Sequence, residues 1–92
     1  MSGGPVARRA VVHGRVQGVF FRQKTLERAR ALGVSGWVRN KPEGTVEIHA
    51  EGDPDAVEQL LRFARTGPRA AEVDHVDVSD VPVEGRQGFD VR

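Results

Sequence analysis

Cysteine and tyrosine are absent from this 92-residue chain, tryptophan and methionine occur once each, and there are four phenylalanines. Without cysteine there is no disulfide to brace a small fold and no thiolate to ligate a metal. Domains of this size bury only about 60% of the surface their unfolded chains expose, so packing must carry the stability. An excess of one charge is also lacking. Fourteen Lys and Arg against thirteen Asp and Glu leave a formal charge of +1, too balanced for the footprint of a protein that binds nucleic acid or an anionic membrane. Any anion site must therefore be local. No apolar run is long enough to cross a bilayer and none has the form of a signal-peptide core, so the chain reads as a soluble, cytoplasmic protein.

What remains, 38% hydrophobic and 29% charged residues, suits one globular domain. Met1 to Val6 contains Ser2, Gly3, Gly4 and Pro5 without apolar periodicity and reads as a flexible tail, with the domain at residues 7–92. Ala7 to His13 reads as a first strand bounded by Gly14. Phe21 to Leu32 carries Leu26, Ala29 and Leu32 at helical spacing and stops at Gly33. Ser35 to Asn40 is a second strand, and Thr45 to Glu51 alternates as a half-buried third. Between them Lys41, Pro42, Glu43 and Gly44 place proline second and glycine fourth, the preference of a type I turn. Asp53 then Pro54 is an N-cap with proline at the first helical position, and Val57, Leu60, Leu61 and Ala64 keep one apolar face as far as Gly67. A fourth strand falls within Val73 to Val81, and Phe89 and Val91 mark a short fifth.

The order β-α-β-β-α-β plus an edge strand is the ferredoxin-like split β-α-β pattern, an α+β fold predicted to have an antiparallel sheet with both helices on one face. A right-handed crossover through the first helix makes strands one and two run the same way, with strand three between them. The loop after strand one and the end of strand two then share one edge, two strand spacings or roughly 10 Å apart. That is room for a phosphate and a water.

The loop on that edge reads Gly14, Arg15, Val16, Gln17, Gly18, Val19, Phe20, and continues into Phe21 and Arg22. Its glycines relieve backbone sterics so that successive N–H groups can turn to one point, and a helix start adds open N–H groups and a positive dipole end. Spacing alone leaves an ordinary strand-to-helix turn as the alternative. Arg22 favours the anion, because a cation in a first helical turn opposes the dipole unless an anion joins it. Its planar fork also holds two phosphate oxygens at once. Asn40 ends strand two on the same edge, with an acceptor and a donor that can orient a water, although asparagine before a turn also serves local turn chemistry. His13, His49 and His75 are far apart in sequence, with no pair at helical spacing, so they read as structural or surface residues and no metal centre is expected. Ser2, Ser35 and Ser79 sit in no nucleophile-elbow sequence.

Two stretches, Gly14 to Arg22 and then Gly36, Trp37, Val38, Arg39, Asn40 with Gly44, Thr45, Val46 and Gly52, resemble the paired motifs of the acylphosphatases. The resemblance covers Ala7 to Arg92. It implies hydrolysis of the anhydride between a carboxylate and a phosphate, releasing inorganic phosphate. It also implies that backbone N–H groups of Arg15, Val16, Gln17, Gly18, Val19 and Phe20, with the Arg22 side chain, bind the phosphate. The resemblance further implies that Asn40 positions the attacking water, and it implies no metal or cofactor. The C-terminus departs from relatives that end in an aromatic residue, since Arg92 stands there, which bears on packing beside the site. The partner expected is a small acyl phosphate, handled by a monomer. Three other uses of this topology stand beside it: a small-ligand regulatory domain, expected to pair sheets in a dimer, is left open by the fold alone, and two others fit less well. A carbamoyl-phosphate-handling domain would be expected inside a larger transferase. An RNA-binding sheet needs exposed aromatic residues and a basic face, and this chain is poor in both.

Overall fold

The computed structural model describes residues 4–92. The tail expected over Met1 to Val6 lies, at residues 1–3, outside the described residues, whereas Val6 already belongs to the first strand. In chain order the elements are β1 (Val6–Arg15), α1 (Phe21–Leu32), β2 (Ser35–Asn40), β3 (Val46–Gly52), α2 (Pro54–Thr66), β4 (Glu72–Val81) and β5 (Phe89–Val91). They form one sheet in the order β4-β1-β3-β2-β5. As the crossover argument requires, β3 lies antiparallel between β1 and β2.

The sheet is mixed rather than antiparallel throughout, which corrects the expectation from sequence. β5 runs parallel to β2, pairing Gly36 with Phe89 and Val38 with Val91. The cause is geometric. β4 runs down beside β1 and finishes with Val81 opposite Ala7, at the end of the sheet where β2 starts. Residues 82–88 must cross that end, so β5 can only rise alongside β2.

Strand alternation divides the sheet into two faces. Ala10, Val12, Val38, Val46, Ile48 and Ala50 point to the helices and are fully buried with Phe21 and Ala29 of α1 and Val57, Leu60, Leu61 and Ala64 of α2. The only buried polar side chain in α1, Thr25, satisfies its hydroxyl by donating to Phe21 O at 2.8 Å. The opposite face carries Arg9, Trp37, Arg39, Glu47, His49 and Glu51. There Glu47 lies beneath two arginines, Arg9 and Arg39. Burial pushes its carboxyl up, but the hydrogen bonds from both guanidinium groups outweigh that and hold it below the ordinary carboxylate range.

Glu51 clasps the crossing segment. Its buried carboxylate accepts the N–H groups of Glu84 at 2.8 Å, Gly85 at 3.0 Å and Arg86 at 3.0 Å, and lies 2.7 Å from His49 Nε2. Burial raises its pKa, and these partners more than reverse the effect, leaving it lowered. A lowered folded-state value means that the stabilisation is complete above the unfolded glutamate value of about 4.3 and is lost as pH falls through the folded one. Glu51→Gln is expected to destabilise the protein by about 1.5–3 kcal/mol at pH 7, since hydrogen bonds to a charged acceptor are lost. Urea unfolding should show that gap closing in acid. A gap independent of pH would mean that the charge of Glu51 is not what holds the segment.

Candidate active site

β1 does not run straight into the loop that follows it. Its register against β4 shifts between His13 and Gly14, and Gly14 adopts φ 130° where a Cβ would meet Glu72 O at 2.1 Å. Only glycine fits this kink, beyond which the shifted register pairs Gly14 with Val73 and Arg15 with Glu72 of β4 before the strand ends. Arg15 ends the strand with its guanidinium directed to Glu72, 3.4 Å away. Val16 is buried and anchors the loop to the core. The Gln17 side chain reaches across to the β2–β3 turn and donates to Lys41 O at 2.8 Å and Thr45 O at 2.9 Å. That bond pair joins the loop to the backbone just beyond Asn40.

The start of α1 contrasts with that of α2. Asp53 caps α2, accepting the N–H groups of Asp55 and Ala56 at 3.1 and 3.4 Å. At α1 the cap position is Phe20, left-handed at φ 63° and ψ 22°, with no side-chain cap and no acidic residue in the first turn. For a bulky non-glycine residue this conformation stores about 1–3 kcal/mol of strain. The first backbone bond of the helix is donated by Lys24 to Phe20 O at 3.0 Å. The N–H groups of Phe21, Arg22 and Gln23 therefore stay open, and among the described residues no acceptor meets those of Gln17, Gly18, Val19 or Phe20.

A cleft of about 480 Å³ opens at this point, lined by Val16, Gly18, Phe20, Phe21, Arg22, Gln23, Leu26, Asn40 and Val91. Of the residues singled out from sequence, Val16, Gly18, Phe20, Arg22 and Asn40 meet here. Arg15, Gln17 and Val19 do not wall the cleft with their side chains, being directed respectively to Glu72, to the β2–β3 turn and to the core. Whereas Arg15, Lys24 and Arg39 pair with Glu72, Glu27 and Glu47, Arg22 has no carboxylate partner among the described residues. Asn40 is half-buried at the last position of β2, paired with Val46. Three wall residues escaped sequence reasoning, Gln23, Leu26 and Val91. Leu26 shows only as one more residue of a helical stripe, and Val91 reaches the cleft through the parallel β5, which no local pattern announces. Arg92 bonds its N–H to Val38 O at 2.8 Å and lays its guanidinium over Trp37, 4.7 Å from the ring centroid.

The family model for acylphosphatase matches residues 8–91. The chain belongs to the acylphosphatase family. An acylphosphatase of Rubrobacter xylanophilus is 54% identical over 85 residues, 91% of this chain and 77% of that one. An acylphosphatase of an Acidovorax species is 46% identical over 91 residues, 99% of this chain and 94% of the relative. Among solved structures, an acylphosphatase from Coxiella burnetii superposes with a TM-score of 0.93 at 36% identity, covering 97% of this chain and 94% of its own. The protein is thus an acylphosphatase-type hydrolase, and no helix of the described residues is long and apolar enough to cross a membrane.

Proposed function

We propose that the acyl phosphate is hydrolysed in the cleft between the β1–α1 loop and Asn40. The phosphate oxygens receive the N–H groups of the loop from Arg15 through Phe20 and of the first turn of α1, while the Arg22 guanidinium takes two of them in its fork. Asn40 orients the water that attacks phosphorus. The P–O bond to the acyl group breaks and a carboxylate leaves, a group stable enough to need no general acid. A loose phosphoryl transition state asks for alignment and charge stabilisation, which fixed N–H dipoles and an arginine supply. The proton of the water goes to a phosphate oxygen of the substrate, so no side chain needs to serve as base. The observation that carries the reading is the convergence of an uncapped helix start, an arginine without a carboxylate partner and Asn40 on one cleft.

No cofactor or metal is given a role in this chemistry. The protein is read as a cytoplasmic monomer acting on a small molecule. The helix-free sheet face supports a non-nucleic-acid role, because its largest ring, Trp37, is covered by Arg39 and Arg92 at 5.3 and 4.7 Å.

The test is release of phosphate from benzoyl phosphate by the purified chain in the presence of chelator. Turnover is expected, with inorganic phosphate as a competitive inhibitor because product and substrate share the cradle. A folded but inactive chain, or a rate unchanged in high phosphate, would overturn the assignment.

A further inference from the structure

The structure assigns a divalent transition-metal site to the helix-free face of the β1–β4 pair, built from His13, His75 and Asp77. The pairing register sets His13 directly opposite His75, and the two rings stack with centroids 4.1 Å apart at an interplanar angle of 10°. Asp77 lies two residues beyond His75 on the same strand, hence on the same face. One of its oxygens, Oδ2, is 3.0 Å from His13 Nε2 and 3.8 Å from His75 Nε2. The ligand atoms of all three residues fall within 4.8 Å of one another.

Ligands at about 2.0–2.1 Å around a tetrahedral Zn²⁺ stand roughly 3.3 Å from each other. The cluster therefore has to contract by no more than about an ångström and a half. Its side chains can do so, being 33% (His13), 59% (His75) and 68% (Asp77) exposed. The local charge also suits a cation. Neighbouring arginines on β1 are already paired, Arg15 with Glu72 and Arg8 with Asp80, and among the described residues Asp77 meets no lysine or arginine. Two imidazole nitrogens and one carboxylate select Zn²⁺, Ni²⁺ or Co²⁺ over Mg²⁺ or Ca²⁺, which prefer all-oxygen shells. Three protein ligands leave a coordination position for water.

The second His-carboxylate cluster of the fold, His49 with Glu51 and Glu84, lacks this capacity. The Glu51 oxygens there are already committed to the three N–H groups of the crossing segment. The His13 site is also separate from the hydrolytic cleft, none of whose wall residues it shares. An ion at His13 would tie β1 to β4 just before the Gly14 kink.

Thermal unfolding and calorimetric titration of the full chain with Zn²⁺ test the site. One equivalent is expected to bind. At a tenfold excess of free Zn²⁺ over its Kd, Tm should rise by about 6–11 °C for a domain of this size. Mg²⁺ and Ca²⁺ should give no rise. His13→Gln and His75→Gln should each abolish the rise without lowering Tm in the absence of metal, and Asp77→Asn should reduce it. The proton NMR signals of the His13 and His75 rings should shift on Zn²⁺ addition while those of His49 do not, a readout that needs no variant. Absence of binding, or a wild-type rise retained in the double histidine variant, would overturn the assignment.

Discussion

Arg22→Ala is expected to lower kcat/KM for an acyl phosphate by about 10³-fold or more, the scale on which an arginine stabilises a phosphoryl transition state. The loss should divide between kcat and KM, because in the proposed role the guanidinium meets phosphate oxygens in both ground and transition state. Stability should not follow activity. Arg22 is exposed, pairs with no carboxylate among the described residues, and opposes the positive end of α1. Its removal is worth between zero and about 1 kcal/mol in favour of the fold when no anion is bound. Arg22→Lys restores a point charge without the bidentate fork and should recover only part of the rate. Activity within tenfold of wild type in the alanine variant would remove Arg22 from the chemistry. So would a loss that merely tracked a fall in Tm.

Asn40→Ala should instead act almost wholly on kcat, lowering it by about 10²–10³-fold, the cost of losing one positioned polar group at a reacting centre. KM and the inhibition constant for phosphate should stay within a few-fold, since the loop N–H groups and Arg22 remain. The backbone that carries Asn40 does not depend on its side chain. Lys41 N–H donates to Thr45 O at 2.9 Å, Gly44 N–H to Lys41 O at 3.0 Å, and Gln17 ties both carbonyls to the β1–α1 loop. A variant with intact kcat and weakened phosphate inhibition would reverse the assignment, making Asn40 a phosphate ligand and leaving the water without an orienting group.

Much of the frame was legible because its signals are local. Gly33 stops α1, Asp53 with Pro54 opens α2, and Pro42 with Gly44 closes the β2–β3 turn. Each depends on residues within four positions of one another, so α1 and β2 have the bounds that sequence alone suggests. The core of the site was legible for a different reason. Crossover handedness alone brings the β1–α1 loop and the end of β2 to one edge, so Arg22 and Asn40 could be placed together without any side-chain coordinates. Most of the missed features depend on pairing between remote segments. His13 and His75 are 62 positions apart, and only the β1–β4 register makes them neighbours. Val91 enters the cleft because β5 runs parallel to β2, an outcome of where β4 ends. Glu51 looks like the outward residue of a half-buried strand, and its partners, Glu84 to Arg86, carry no side-chain pattern because they contribute backbone N–H groups. Gln17 was read for its backbone, and its side-chain bridge to Lys41 and Thr45 has no counterpart in spacing.

For protein engineering, the start of α1 invites an error. An aspartate or serine in the capping conformation in place of the left-handed Phe20 would add about 1 kcal/mol of helix stability and release backbone strain as well. Its side-chain oxygen would sit on the N–H groups proposed to receive the phosphate. The stabilising substitution would act as a covalently tethered competitive inhibitor. Selection for thermal stability alone would therefore push position 20 toward an inert protein, while the other helix, already closed by Asp53, could be strengthened without touching turnover.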